Sequence, residues 1–353
     1  MTEQSTLFET MTQEAASDGR LAQLFELKNE NGMCAVFMDI GATWLSCKVP
    51  VKGKLREVLL GQSTMAGFKK QASYMGVTVG RYANRIANGQ FKIDGTKYQV
   101  DTNQAGNTLH GGSEGFDKRR WSVVKETTNS IEFSLISPDG DQGFPGELTV
   151  FVSYQLTDDN QIVISYNGRS TKSTPVNLTN HAYFNLLGAD SDSLGLDHIL
   201  SINASEYVPT SEVGIPKGAW KKVKDTNFDF TDPKVISQDF MLDKDQDNAK
   251  GYDHSFVLDK TCAKGECAAS LTSPDSLVTM HVVTTKPAIQ LYTGNWLAGT
   301  PNRIDGDYQD YSGVALETQF LPDAPNHPEW PQPSSLLSSS DTYQHETRYQ
   351  FIV

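Results

Sequence analysis

Hydrophobic residues along this chain recur at every second position rather than at helical spacing. The clearest case is residues 148–156, where Leu, Val, Val, Tyr and Leu alternate with mostly polar neighbours. A polar tetrapeptide follows at residues 157–160, and the alternation resumes at Ile162, Ile164 and Tyr166. Period two is the spacing of a half-buried strand, so these residues predict a β-hairpin with a short polar loop. Further strand-like runs occupy residues 35–37, 131–136, 198–202, 256–258, 278–282 and 289–292.

Helical patterns are few. Residues 63–71 and 235–242 each have the length and spacing for a few helical turns. Many short strands without interleaved helices predict an all-β fold, an antiparallel sandwich or barrel. We find no low-complexity linker and no clear repeat, so residues 23–353 are expected to form a single β-sandwich domain. Residues 1–22 are polar and are expected to be a poorly ordered N-terminal arm.

The balance of charge limits the partners that the chain can have. The 353 residues carry a formal net charge of −13, whereas nucleic-acid binding needs a basic surface, so no nucleic-acid partner is expected. The N-terminus lacks the basic and apolar parts of a secretory signal, and no apolar run reaches the roughly 18 residues of a membrane span. We therefore expect a cytoplasmic protein without a membrane partner. Its four cysteines, Cys34, Cys47, Cys262 and Cys267, are then expected to be free thiols.

Several familiar motifs are absent or incomplete. Residues 139–143 resemble the start of a calcium loop, but the twelfth position is Val150 rather than a carboxylate, so a turn is the better interpretation. The glycine-rich run at residues 110–115 matches neither a phosphate-binding loop nor a dinucleotide fingerprint. Neither an HExxH zinc motif nor a GxSxG nucleophile elbow occurs. None of these motifs therefore indicates a bound metal or a cofactor.

Polar residues inside strand-like segments are the remaining candidates for chemistry. Asn177, Thr179, His181, Tyr183 and Asn185 share one parity, so on a strand they would lie on one polar face. Such a face suits either a ligand cleft or contact with solvent, and the pattern alone does not choose between them.

Glu317 is a second candidate, because it interrupts the apolar run at residues 313–321. A carboxylate in such a run must be paired, hydrogen-bonded or shifted in pKa, which is found at functional sites and in structural ion pairs alike. Asp253 and Arg85 are weaker candidates, since an aspartate in a turn or an arginine at a strand end is usually structural.

Seven segments in order along the chain together resemble the aldose 1-epimerase family, the galactose mutarotases, and most closely its bacterial members. The resemblance extends from about residue 25 to the end. It implies a large antiparallel β-supersandwich with few short helices. The segments are GVTVGRYANRIANGQF (residues 76–91), TLHGGSEGFDKRRW (108–121), DGDQGFPGE (139–147), VNLTNHAYFNLLG (176–188), GYDHSFVL (251–258), LYTGNWL (291–297) and ALETQFLPDAPNHPEWP (315–331).

The resemblance also implies a function and a site. Free hexoses such as D-galactose and D-glucose would be the substrates, Glu317 the general base and His181 the general acid, without cofactor or metal. Unperturbed pKa values near 4.3 and 6.5 predict an ionised glutamate, and a histidine beside it that is readily kept protonated. Tyr183 or Trp296 would offer an apolar platform to the sugar. The substrate-binding residues would be His110, Asn84, Arg85, Asp253 and Gln290.

Three other functions are compatible with the residues alone. A glycoside hydrolase would use two carboxylates, for example Glu317 and Asp253. A non-catalytic sugar-binding module would need no acid–base pair. A metal enzyme could use His110, His181 and Glu317 as ligands. The preferred hexose and the choice between monomer and homodimer are not encoded in any pattern that we recognise.

Overall fold

The computed structural model describes residues 3–353, and strands dominate it. Three short α-helices accompany them, namely α1 (Glu3–Met11), α2 (Met65–Lys70) and α3 (Lys244–Ala249). In the first half of the chain the strands are β1 (Leu24–Lys28), β2 (Cys34–Met38), β3 (Thr43–Val51), β4 (Lys54–Glu57), β5 (Thr78–Val79), β6 (Arg85–Ile86), β7 (Gln90–Ile93), β8 (Thr96–Gln99), β9 (Thr108–Leu109), β10 (Ser122–Glu126), β11 (Ser130–Ser137), β12 (Leu148–Leu156), β13 (Gln161–Ser170) and β14 (Thr174–Pro175).

The second half of the chain continues in the same way. Its strands are β15 (Thr179–Asn180), β16 (Tyr183–Phe184), β17 (Ile199–Ile202), β18 (Ala204–Tyr207), β19 (Lys221–Lys222), β20 (Lys234–Val235), β21 (Asp253–Leu258), β22 (Ala269–Thr272), β23 (Thr279–Thr284), β24 (Ala288–Tyr292), β25 (Val314–Gln319), β26 (Leu336–Leu337) and β27 (Tyr343–Ile352). None of the helices among residues 3–353 is long and apolar enough to cross a membrane.

Two large antiparallel sheets organise the fold. The nine-stranded sheet has the order β10-β11-β12-β13-β27-β23-β22-β17-β20, and the six-stranded sheet has the order β16-β25-β24-β21-β18-β19. A third sheet consists of the four strands β1 to β4. One hydrophobic cluster takes buried side chains from all three sheets, from Phe25 near the start to Phe351 near the end. The predicted all-β antiparallel fold is therefore confirmed.

The predicted hairpin forms the centre of the nine-stranded sheet. Strands β12 and β13 pair from Leu148 with Ser170 to Leu156 with Ile162. Along β12 every second side chain is buried, because one face of the strand packs on the core while the other meets polar surroundings. The period-two pattern thus identified both the strands and their buried face.

Of the two predicted helical segments, one contains an α-helix. Residues 63–71 contain α2, which begins after Thr64, whose side chain accepts the N–H of Gly67 as an N-cap. Residues 235–242 contain only a short 3-10 turn, Ile236–Asp239. No pattern predicted α3, which begins after the N-cap Asp243 and is too short to display a helical period.

The N-terminal arm contacts the four-stranded sheet and α2. It contains α1, and Met11 and Ala16 are buried in a cluster with side chains of β2 and α2. Lys69 of α2 forms an ion pair with Glu14, and the Thr10 hydroxyl donates to the Ser63 carbonyl. A few apolar side chains in a polar segment are enough to dock it, although the composition predicts disorder. Residues 1 and 2 lie outside the described part of the chain.

Candidate active site

Glu317 lies in the interior of the six-stranded sheet. In the ladder between β24 and β25 it pairs directly with Gln290, and in the next ladder Gln290 pairs with Ser255 of β21. Directly opposed side chains share one face of a sheet, so these three polar groups form a row across neighbouring strands. Only 3% of Glu317 is exposed to solvent. Every residue of β25 is buried, so the carboxylate lies in a strand that is covered on both faces.

His181 reaches this carboxylate from a separate segment. Its Nε2 atom lies 3.6 Å from Oε1 of Glu317. The His181 backbone is fixed on both sides, since its N–H donates to the Val77 carbonyl at 2.9 Å and its carbonyl accepts the Gly76 N–H at 2.8 Å. The fold thus brings the two predicted catalytic residues together.

The polar face predicted around His181 is only partly correct. The segment forms two separate two-residue strands, β15 and β16, which belong to different sheets. His181 and Tyr183 line a cavity, but the amide of Asn177 donates to the carbonyls of Ala83 and Phe320. The Asn177 amide therefore binds neighbouring backbone and does not line the cavity, although Asn177 lies at the same parity as His181.

His110 is oriented by the backbone of Asn84. The Asn84 N–H donates to Nδ1 of His110 at 3.1 Å, and the His110 N–H donates to the Asn84 carbonyl at 3.0 Å. Because Nδ1 is an acceptor, the neutral ring carries its proton on Nε2, which makes Nε2 a donor. The residue after His110 must be glycine, since a Cβ on Gly111, at φ +93°, would lie 2.0 Å from the Gly80 carbonyl oxygen.

Arg85 and Asp253 form a second polar pair in the same site. Their closest nitrogen and oxygen atoms are 3.5 Å apart, and Arg85 Nε donates to Oε1 of Gln104 at 2.8 Å. A glycine permits this arrangement, because a Cβ on Gly214 would lie 2.5 Å from the guanidinium carbon of Arg85. Arg85 and Asp253 both line the cavity that His181 and Glu317 line.

Gln290 lies behind this cavity rather than in its wall. Its Nε2 donates to Oδ1 of Asp253 at 2.6 Å, and 2% of the residue is exposed. The structure thus places Gln290 against a predicted substrate-binding residue instead of against the space that a substrate would fill.

The cavity has a volume of about 260 Å³ and an aromatic wall. The Trp296 side chain, at the rim, is 67% exposed. Sequence reasoning missed Tyr74, Gln104 and Tyr292, which also line it. Tyr74 has φ +56°, a conformation uncommon outside glycine, and no sequence pattern signals this. Its ring lies 4.6 Å from that of His110 and 6.0 Å from that of His181.

Burial moves the pKa values of the central pair. It raises the pKa of Glu317 to about 8, with the Asp253 charge adding to the rise and Arg85 opposing it. Burial lowers the pKa of His181 to about 4, against the opposing effect of Asp253. Both shifts run opposite to the sequence-based expectation of an ionised glutamate beside a protonated histidine. Removing a charge from water is costly, and the sequence alone did not show how completely both groups are enclosed.

His110, His181 and Glu317 also satisfy the loose geometry of a metal site. Their ligand atoms all lie within 4.8 Å of one another. The hydrogen bond from Asn84 occupies the lone pair of His110 Nδ1 and leaves a proton on Nε2, so this ring offers no free lone pair. Burial also lowers the pKa of His110 well below its usual range, which keeps the ring neutral. The donor set therefore fits a hydrogen-bonding site better than a metal centre.

Comparisons with known proteins identify the family of this chain. A sequence model described as aldose 1-epimerase matches residues 23–350. The aldose 1-epimerase of Escherichia coli K12 is 48% identical over 338 residues, which cover 96% of this chain and 97% of that protein. The galactose mutarotase of Homo sapiens is 39% identical over 348 residues, covering 96% and 97%. The crystal structure of an aldose epimerase homologue from C. elegans aligns with a TM-score of 0.84 at 31% identity, covering 94% of this chain and 99% of that one. The chain belongs to the aldose 1-epimerase family and is an isomerase.

Proposed function

We propose that this epimerase interconverts the α and β anomers of free hexoses such as D-galactose and D-glucose, with Glu317 as general base and His181 as general acid. The observation that carries the proposal is the approach of two buried ionisable side chains to 3.6 Å in the wall of a sugar-sized cavity. Oε2 of Glu317 is buried and has no hydrogen-bond partner among residues 3–353. A hydroxyl group of a bound ligand would satisfy it.

Anomer interconversion needs two proton transfers in each direction. A pyranose is a closed hemiacetal, so ring opening removes a proton from the C1 hydroxyl and delivers one to the ring oxygen. Glu317 takes the first proton and His181 gives the second. The aldehyde then rotates about the C1–C2 bond and closes on its other face, with the two residues in exchanged roles. A positioned proton transfer is typically worth 10²–10⁴-fold in rate, and neither residue needs a cofactor.

The pKa shifts fit this cycle when the pair is treated as one unit. Near neutral pH the pair holds one proton in either arrangement, on Glu317 or on His181. The arrangement that burial favours, neutral Glu317 and neutral His181, is also the one that follows ring opening. The opposite arrangement becomes favourable when a sugar hydroxyl donates to the Glu317 carboxylate. The π faces of Tyr74 and Tyr183, nearly parallel to the His181 ring, also favour its cationic form.

The remaining polar groups bind the other hydroxyls of the sugar. His110 and Arg85 supply donors, Asp253 supplies an acceptor, and the Asn84 amide lines the same cavity. Groups committed to particular hydroxyls disfavour a sugar that misplaces them, because they are left unpaired. The human relative is a galactose mutarotase, which favours galactose as one substrate of this chain.

Polarimetry tests the proposal directly. Freshly dissolved α-D-galactose changes its rotation slowly by itself, and catalytic amounts of the protein should speed this change to the same final value. Glu317→Gln should return the rate close to the uncatalysed one. A trace that is unchanged by the wild-type protein, with glucose tested in parallel, would overturn the proposal.

An isotope experiment separates mutarotation from glycoside hydrolysis. Mutarotation breaks the bond between C1 and the ring oxygen, whereas hydrolysis brings a water oxygen to C1. Galactose labelled with oxygen-18 at C1 should interconvert rapidly without losing label beyond the enzyme-free background. An aryl galactoside should release no aglycone. Enzyme-dependent label loss with steady aglycone release would favour the hydrolase, and sugar binding without either reaction would favour a binding module.

A further inference from the structure

A row of buried polar side chains lies behind Asp253. Ser255 follows Asp253 at the same parity on β21, and Gln290 is its partner on β24. Gln319, on β25, completes the row. Ser255 is 1% exposed, Gln290 2% and Gln319 0%, so water does not reach them from the surface. Buried polar groups need internal partners, and the hydrogen bonds among these partners run in a defined donor-to-acceptor order.

The direction is set by the two ends of the Gln290 amide. Its Nε2 donates to Oδ1 of Asp253 at 2.6 Å, as the carboxylate requires. Its Oε1 then points into the sheet and must meet a donor, which the Ser255 hydroxyl supplies. Nε2 of Gln319 lies 3.4 Å from the same Oε1 and 3.5 Å from the Ser255 oxygen. Because the Ser255 oxygen faces the amide donor of Gln319, the Ser255 hydroxyl proton is directed towards Oε1 of Gln290.

The Asp253 carboxylate contacts Gln290 through one oxygen and Arg85 through the other. Its contact with Arg85 is longer, 3.5 Å against the 2.6 Å of the amide contact. Neither Ser255 nor Gln319 lines the cavity, so an effect of theirs on a ligand must pass through a neighbouring side chain. The hydrogen bonds of Ser255 to Gln290 and of Gln290 to Asp253 form such a path.

We propose that Ser255 is a positioning residue for substrate binding, which fixes the Gln290 amide and through it the Asp253 carboxylate. The inference rests on the proposed function, in which Asp253 accepts a hydrogen bond from a sugar hydroxyl. Without the Ser255 hydroxyl, Oε1 of Gln290 loses its nearest donor, and the amide is no longer held with Nε2 towards Asp253. A loosely held carboxylate binds the ring hydroxyl less well, while Glu317 and His181 remain in place.

The experiment compares Ser255→Ala with Ser255→Thr and a matched control. Ser273→Ala removes another fully buried serine hydroxyl, one that is bonded to Asp275 and the Val278 N–H away from the cavity. In Ser255→Ala we expect KM for galactose to rise about 10-fold, the usual effect of losing one hydrogen bond to a charged group, with kcat within about 3-fold. Ser255→Thr keeps a hydroxyl and should restore KM, and Ser273→Ala should lower thermal stability without changing KM.

A double-mutant cycle tests whether the effect passes through Gln290. If it does, Ser255→Ala should add little to the KM of Gln290→Ala, so the two effects are not additive. Independent effects, an unchanged KM in folded Ser255→Ala, or an equal rise in Ser273→Ala would each overturn the inference. If Ser255→Ala does not fold, Ser255→Cys, a weak donor of similar size, replaces it in the same comparison. A wild-type protein without mutarotation would instead overturn the proposed function, before any variant is compared.

Discussion

Nε2 of His181 and Oε1 of Glu317 face each other at 3.6 Å, a separation beyond an ordinary hydrogen bond. The two atoms are thus close enough to exchange protons through a bound hydroxyl group, but they do not form a hydrogen bond with each other. Side chains that only stabilise a fold usually complete their contacts. The gap between these two atoms is the relationship on which the proposed chemistry depends.

The first prediction concerns this pair. Glu317→Gln and His181→Ala should each lower kcat by roughly 10²–10⁴-fold, because each removes one proton-transfer group. Polarimetry gives the rate, and circular dichroism checks the fold. Glu346→Gln and His281→Ala, on β27 and β23 away from the cavity, are matched controls that should keep wild-type turnover. Near-wild-type kcat in either site variant would contradict the assignment.

A second prediction follows from the raised pKa of Glu317. With a folded-state pKa of about 8 against an ordinary 4.5, the native protein retains a proton that the unfolded chain releases. The contribution of Glu317 to the free energy of unfolding should therefore fall as pH rises from about 5 to 8, and Glu317→Gln should remove this contribution, which is up to about 1.4 kcal/mol per pH unit.

Denaturant titrations of both proteins across this range check the second prediction. His181, with a pKa lowered to about 4, acts in the opposite direction and only below about pH 6.5. The interval from pH 6.5 to 8 therefore isolates Glu317. Parallel curves for wild type and variant in that interval would contradict the raised pKa.

Metal removal provides a third prediction. Exhaustive chelation should leave mutarotation unchanged, because the Asn84 N–H occupies Nδ1 of His110 and the neutral ring has no second lone pair. Elemental analysis should find no stoichiometric transition metal. Activity that is lost on chelation and restored by one metal would contradict this prediction and favour a metal site formed by His110, His181 and Glu317.

The fourth prediction concerns substrate binding. Asp253→Ala and Arg85→Ala should each raise KM for galactose roughly 10- to 100-fold, the range expected for losing a hydrogen bond to a charged group. A smaller fall in kcat should follow from misplacement of the ring. Lys222→Ala breaks an exposed ion pair with Glu206 and serves as the control. Unchanged KM and kcat in both site variants would make these residues structural.

The fifth prediction uses two glycines that both have a positive φ. Gly111→Ala places a Cβ 2.0 Å from the Gly80 carbonyl oxygen, whereas Gly95→Ala, at φ +80°, meets no atom within 4 Å. Both substitutions carry the strain of a positive φ, about 1–3 kcal/mol. Only Gly111→Ala should also displace His110 and reduce activity. Equal losses of activity in the two variants would contradict the prediction that the close contact of Gly111 with Gly80 positions His110.

The sequence by itself determined the class of fold. Period-two alternation is a local property, because successive side chains of a strand point to opposite faces whatever lies beyond them. It therefore located β12, β13 and the buried face of the hairpin correctly. The ordered segments likewise identified the family, since seven matches in sequence do not depend on any distance in space.

The tertiary structure decided how the site is arranged. It brought His181 to Glu317, put Gln290 behind Asp253 instead of in the cavity, and added Tyr74, which no pattern signalled. It also moved the pKa values of the pair in the direction opposite to the one expected, and it packed Met11 and Ala16 against side chains of β2 and α2. Each of these depends on contacts between residues distant in the chain. Burial and the pKa values that follow from it exist only once those contacts have excluded water.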